Sequence, residues 1–299
     1  MSNKIFFHSL TKAYKIVSFL LLVIIHFYGC GGYITEGAFE PDDNYKDRSY
    51  EYNVPSNYDP SLPMPLIFVF HGSQSSGISM QMATHFDEYS EAGNFIVVYP
   101  NAVSGIWNCY DACSRYYGDD ANDYGFVDYL IEYFSERYPV DPARIYACGF
   151  SLGACFTINL GLDKSNKFAA IVSVAGNMSL SSESKFSSAG RIPFMVIHGM
   201  LDDKVLWDGS GTGDCEKPSI KTMMELWANH NGCNQNPTVV DLPDTGEEYI
   251  HVVKETYDNC RENTETILYK IEGGIHEWFM FEEFNATETI IDFFMRHSL

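Results

Sequence analysis

The feature that most constrains this chain is Gly149-Phe150-Ser151-Leu152-Gly153. It sits between a strand-like run, Arg144 to Cys148, and a segment able to continue as a helix, Leu152 to Leu162. Gly-x-Ser-x-Gly between a strand and a helix is the pattern of a sharp turn that presents a serine hydroxyl. Backbone and neighbouring chain come so close in such a turn that a Cβ at Gly149 or Gly153 would collide. The letters alone also fit an ordinary strand-to-helix loop with a small residue at the helix start. What separates the two readings is whether the rest of the chain supplies partners for Ser151.

The chain has 299 residues, enough for one large α/β domain or two small ones, and its 45% hydrophobic content excludes a disordered polymer. At the N-terminus, Lys4, Lys12 and Lys15 precede an apolar run from Ile16 to Ile25, and Gly29-Cys30-Gly31-Gly32 follows. Basic, apolar, small is the order of an export signal, and the apolar run is short for a membrane span. We read 1–29 as a signal peptide, 30–48 as a polar tether and 49–299 as the catalytic domain. Phe27-Tyr28-Gly29-Cys30 is also a loose version of a lipoprotein processing site, in which Cys30 is lipidated and attaches the chain to a membrane. Secretion and lipid anchoring both stay open. Removal of 1–29 takes away three lysines and no acids, so the formal net charge moves from −21 to −24. A body this acidic excludes nucleic acid and anionic lipid surfaces as partners.

Seven cysteines remain after Cys30: Cys109, Cys113, Cys148, Cys155, Cys215, Cys233 and Cys260. None forms a C-x-x-C pair and no histidine cluster lies beside them, so no metal is expected. Cys148 and Cys155 flank the serine turn on apolar segments and read as inert core thiols.

Strand-like and helix-like segments alternate along the chain. Ser49–Val54, Leu66–Phe70, Phe95–Tyr99, Arg144–Cys148, Ala169–Val174, Phe194–Ile197, Tyr249–Val253 and Thr266–Ile271 read as strands. Met80–Glu91, the segment after Asn122, Leu152–Leu162, Pro218–His230 and Thr289–Arg296 read as helices, with Pro218 placed in a first turn. Ser179–Ser188 reads as a serine-rich loop. The alternation predicts an α/β fold: a mostly parallel central sheet flanked by helices on both faces.

A serine hydroxyl is a poor nucleophile without a base, an orienter for that base and donors for the oxyanion. Asp202 follows the strand at 194–197 in His198-Gly199-Met200-Leu201-Asp202-Asp203, and we favour it over Asp203 as the acid. His276 follows the strand at 266–271 in Glu272-Gly273-Gly274-Ile275-His276, where glycines let an imidazole turn back toward Ser151. His198 precedes the acid and reads as structural. Leu152 and Ser73 are the expected backbone oxyanion donors, with Gln74 as second choice to Ser73. No cofactor is needed for such a site. Trp107, Phe150 and Trp278 are the candidate substrate-binding aromatics, with core packing as their other reading. Asp119-Asp120 with Asp123 reads as a solvated, helix-capping loop rather than a calcium site. Asn177-Met178-Ser179 and Asn285-Ala286-Thr287 are glycosylation sequons in a eukaryotic setting.

Nearly the whole chain after the signal peptide resembles the secreted α/β-hydrolase esterases that include polyhydroxybutyrate depolymerase-like, feruloyl and acetylxylan esterases. The resemblance is carried by His71-Gly72, Tyr99-Pro100, Trp107-Asn108, Asp141-Pro142-Ala143-Arg144-Ile145-Tyr146, Gly149 to Gly153, His198-Gly199 with Asp202, Trp227 with Asn231-Gly232-Cys233, and Gly273 to Trp278. It implies the α/β-hydrolase fold, a Ser151–Asp202–His276 triad and a Cys233–Cys260 disulfide. It implies as partner an ester substrate: a feruloyl or acetyl ester of the plant cell wall, or a hydroxyalkanoate ester. Ser73, Ala154 and Phe279 stand where many members carry cysteine, glycine and proline, which weakens any transfer of one substrate. A serine peptidase on the same scaffold and an inactive surface carbohydrate-binding relative are the rival readings.

Overall fold

The β-strand Met64–Phe70 is buried at every position, as its unbroken apolar run requires of a strand covered on both faces. In this computed structural model the described residues are 45, 48–110, 121–243, 249–282 and 284–299, all within a compact unit running from Gly37 to Leu299. The proposed signal peptide, Cys30, most of the tether, Cys113 and Asp119-Asp120 lie outside the described residues.

Among the described residues, nine strands form one sheet. They are β1 (Tyr50–Asn53), β2 (Met64–Phe70), β3 (Ile96–Pro100), β4 (Val140–Phe150), β5 (Ala170–Val174), β6 (Phe194–Gly199), β7 (Thr238–Asp241), β8 (His251–Tyr257) and β9 (Thr266–Glu272). The spatial order is β1-β3-β2-β4-β5-β6-β9-β8-β7. The six inner strands from β3 to β9 pair in parallel. β1 at one edge, and β8 and β7 at the other, are antiparallel. This is the α/β-hydrolase fold.

The helices are α1 (Gly77–Thr84), α2 (Phe86–Gly93), α3 (Asp123–Arg137), α4 (Leu152–Asp163), α5 (Ile220–Asn231) and α6 (Ala286–Phe294). Side chains alternate along each strand, so β2 feeds two apolar layers. Leu66, Phe68 and Phe70 pack with Phe126 and Leu130 of α3, Phe156 of α4 and Trp227 of α5. Ile67 and Val69 face Met80 of α1, Phe86 of α2 and Phe293 of α6. The carboxyl ends of the parallel strands β2, β4, β6 and β9 lie at the same end of the sheet, and each is followed there by a loop that carries a candidate site residue.

Several local expectations are corrected. The segment 80–91 is two helices, because His85 takes a left-handed conformation (φ 56°) and the Thr84 carbonyl accepts from the Thr287 hydroxyl at 2.6 Å. Pro218 precedes the cap of α5 rather than opening its first turn: Ser219 caps the helix by accepting from Thr222 N–H. The serine-rich stretch contains a 3₁₀ segment, Leu180–Ser187. β7 had no sequence signal, since all four residues are exposed and no apolar alternation marks it. Both sequons are used internally. Asn177 is buried and donates to the Pro218 carbonyl (2.7 Å), and Thr287 is buried beneath Trp278, donating to Thr84 and accepting from the indole.

The Cys233–Cys260 disulfide is present, joining chain positions 27 residues apart just after α5 and before β9. Cys215 is also disulfide-bonded. Burial pushes the Cys148 thiol well above its usual range, which keeps it protonated and inert.

Candidate active site

Ser151 sits between β4 and α4 with φ 55° and ψ −116°, a strained backbone for a residue bearing a Cβ. Its N–H donates to Val174 O at the end of β5 (3.0 Å), and its carbonyl accepts from Ala154 and Cys155 in the first turn of α4. The flanking glycines are needed for space. A Cβ on Gly153 would lie 2.4 Å from the Phe70 carbonyl oxygen of β2.

Three loops converge on this turn. His276 approaches from the loop after β9, with Nε2 2.9 Å from the Ser151 hydroxyl and Nδ1 2.7 Å from Asp202 Oδ2. A carboxylate only accepts, so Nδ1 carries the imidazole proton and the bare Nε2 accepts from Ser151 Oγ–H. Asp202 is buried, and its second oxygen accepts from the backbone N–H groups of Lys204 (2.9 Å) and Val205 (2.8 Å). Asp203 points to solvent instead, where the Lys204 ammonium holds its carboxyl below the usual range. The loops bearing Asp202 and His276 are joined directly, Leu201 N–H donating to Gly274 O at 2.8 Å.

The loop after β2 closes the other side. A Cβ on Gly72 would lie 3.3 Å from Ser151 Cβ. The N–H of Gln74 donates to Gly105 O at 2.9 Å, which removes that residue as an oxyanion donor. The N–H groups of Ser73 and Leu152 have no acceptor among the described residues; Leu152 N–H is in the first turn of α4, where a helix offers none. His71 sets this loop. It is fully buried, its Nε2 accepts from Ala102 N–H (3.0 Å), and its Nδ1–H therefore donates to Gly72 O (2.7 Å). Burial holds its pKa below the ordinary value, so the ring stays neutral and keeps that tautomer.

The candidate aromatics separate. Phe150 lies at the site, its ring centroid 4.9 Å from that of His276. Trp107 does not: it is fully buried, stacks on Phe156 at 4.9 Å and donates its indole N–H to His71 O at 2.9 Å. It supports the loop after β2 from beneath and has no surface left for a ligand. Trp278 is half-buried and pinned through its indole N–H to Thr287 (3.0 Å), on the α6 side of the histidine loop. Exposed apolar side chains without a sequence signal stand next to Asp202 and His276 in the chain instead: Leu201 is 63% and Ile275 54% exposed.

Asp123 is corrected as well. It is fully buried rather than solvated, pairs with Arg48 at 2.7 Å and accepts from Asn108 N–H at 2.7 Å. The α3 cap is Asn122, which accepts from Gly125 N–H. Arg48 also donates to Asn101 O, so one buried ion pair ties the loop after β3 to the start of α3.

Comparison with known proteins gives the same class. A family model described as phospholipase/carboxylesterase matches residues 124–208, the stretch that contains Ser151 and Asp202. The chain is 25% identical over 254 residues to feruloyl esterase C of Emericella nidulans, covering 82% of each protein. It is 24% identical over 240 residues to feruloyl esterase B of Piromyces equi, covering 77% of this chain and 42% of that longer protein. The structure of an acetyl xylan esterase from Aspergillus awamori superposes with a TM-score of 0.62 at 14% identity, over 85% of this chain and 96% of that one, and so shares the fold. The structural likeness shows the α/β-hydrolase fold, and the sequence matches make the chain a carboxylic-ester hydrolase of the feruloyl esterase-like kind. Within that class the chain is a distant homologue of the feruloyl esterase and polyhydroxyalkanoate depolymerase-like esterases.

Proposed function

We propose that this chain is a secreted or lipid-anchored serine esterase that cleaves its substrate through an acyl-enzyme. The observation that carries the reading is the continuous hydrogen-bonded line Ser151–His276–Asp202, with separations of 2.9 and 2.7 Å. Ser151 attacks the ester carbonyl while His276 Nε2 takes its proton. Asp202 holds Nδ1–H in place and stabilises the imidazolium that forms. The N–H groups of Ser73 and Leu152 receive the oxyanion. His276 then returns its proton to the leaving alcohol, and water repeats the sequence on the acyl-serine. The site's position at the carboxyl ends of the parallel strands, on loops, suits variation of substrate on a constant scaffold.

Phe150 against His276, with Leu201 and Ile275 exposed beside the acid and base, favours an apolar acyl group. The feruloyl esterases among the relatives point to a hydroxycinnamoyl ester of a cell-wall polysaccharide, ahead of acetyl and hydroxyalkanoate esters. Purified protein assayed on methyl ferulate, acetylated xylan, hydroxybutyrate oligomers and peptide anilides orders these substrates. Hydroxycinnamoyl turnover with no anilide cleavage supports the reading. Ser151→Ala loses at least about 10³-fold in kcat and no longer takes up a fluorophosphonate probe. Full activity in that variant sinks the proposal, and an unlabelled wild-type serine favours the inactive binding relative.

A further inference from the structure

His198 is the penultimate residue of β6, four residues before the acid, and the catalytic cycle above makes no use of it. It is fully buried, and its Nε2 lies 2.8 Å from the Val205 carbonyl oxygen and 3.6 Å from Asp202 Oδ2. A carbonyl only accepts, so Nε2 carries the proton and donates to Val205. The same residue, Val205, donates its own N–H to Asp202 Oδ1 at 2.8 Å. His198 thus holds one end of the turn whose other end is the acid. Its titratable neighbours are Asp202 and His276. Trp207 packs near its ring, with centroids 6.1 Å apart.

We propose that His198 is a positioning residue for the Asp202–His276 pair. Its neutral Nε2–H anchors Val205, which closes the Asp202–Val205 turn and delivers Asp202 Oδ2 to His276 Nδ1. A lysine or arginine in this place would compete with His276 for the carboxylate. A neutral imidazole anchors the turn and leaves the charge of Asp202 to His276. Burial lowers the pKa of His198, against the pull of the Val205 carbonyl and Asp202, and so keeps the ring in that neutral form. The inference rests on Ser151, His276 and Asp202 acting as a triad, and it adds a fourth residue to that unit. It also accounts for a histidine that separates the end of an apolar strand from the glycine turn leading to the acid.

The test compares His198→Leu with His198→Gln in the full-length protein on a soluble aryl ester. His198→Leu removes the donor and leaves a buried apolar side chain. The Asp202 turn then loosens, so kcat falls about 10- to 100-fold. KM stays within about 3-fold, since this residue does not touch substrate. His198→Gln, whose amide N–H reaches toward Val205 O, restores kcat to within a few-fold of wild type. Unchanged kcat in His198→Leu overturns the proposal, as does a His198→Gln variant no better than His198→Leu. If His198→Leu does not fold, His198→Asn, too short to reach Val205 O, replaces it against His198→Gln with the same expected split. Ser151→Ala run alongside keeps the two ideas apart. Activity that survives it removes the triad, whereas Ser151-dependent activity indifferent to His198 removes only this proposal.

Discussion

Gly149 and Gly153 face each other across the serine turn so closely that a Cβ on Gly149 would lie 2.2 Å from the Gly153 carbonyl oxygen. The obstacle is backbone, which cannot swing aside as a flexible side chain does. Gly149→Ala is therefore expected to cost about 3 kcal/mol or more, in the range of severe core defects. Urea unfolding followed by circular dichroism measures this. A variant as stable as wild type would show that the turn is looser than described.

Trp107 tests the distinction between a cleft wall and a support. Trp107→Phe removes the hydrogen bond to His71 O and is expected to cost about 1–2 kcal/mol. Because that bond steadies the loop carrying Ser73, kcat should fall several-fold with KM unchanged. A raised KM at constant kcat would instead return Trp107 to the substrate.

The Arg48–Asp123 pair is buried on both sides. Asp123→Ala strands a buried guanidinium, with an expected loss of about 3–5 kcal/mol. The double variant Arg48→Met, Asp123→Ala should recover a large part of that loss, because no unpaired charge remains. Chemical denaturation of the two single variants and the double variant closes the cycle.

Glu265 gives a pH signature. His297, 3.6 Å away, and Arg296, at 2.7 Å, bring its carboxyl down from 4.5 to about 2. The folded state holds this proton less readily than the unfolded chain. The stabilisation is therefore complete above pH 4.5 and lost as pH falls toward 2. The group is partly exposed, so screening limits its contribution to at most about 1 kcal/mol. Glu265→Gln should lower the melting midpoint at pH 7, and the gap to wild type should close as the pH falls through this window. A gap that is constant with pH would assign the effect to packing.

The inner strands were legible because continuous apolar runs such as Leu66–Phe70 have one stable use, a strand covered on both faces. The antiparallel edges were harder to read. β7 is exposed at all four positions, and without a buried face there is no alternation to detect. The break at His85 was hidden because it depends on Thr287, about 200 residues further on, occupying the Thr84 carbonyl. At the site, the glycines, the strand ends and the order of serine, acid and histidine were readable from local chemistry. The assignment of tryptophans to a cleft was not, because an aromatic side chain looks the same in sequence whether it packs under a loop or over it.

Sequence alone singled out Ser151, Asp202 and His276 as candidates and the strand ends at which they stand. The turn at Ser151 has room only for glycine at 149 and 153, and strands that are apolar throughout must be interior. Tertiary structure decided what each candidate faces. It buried Trp107 beneath His71, turned Asp203 to solvent while Asp202 met His276, and committed the Gln74 N–H to Gly105. It also put His198 behind Val205. These outcomes depend on contacts between segments tens to hundreds of residues apart, and a hydrogen bond of 2.7 Å is set by how whole strands pack, which no local pattern encodes.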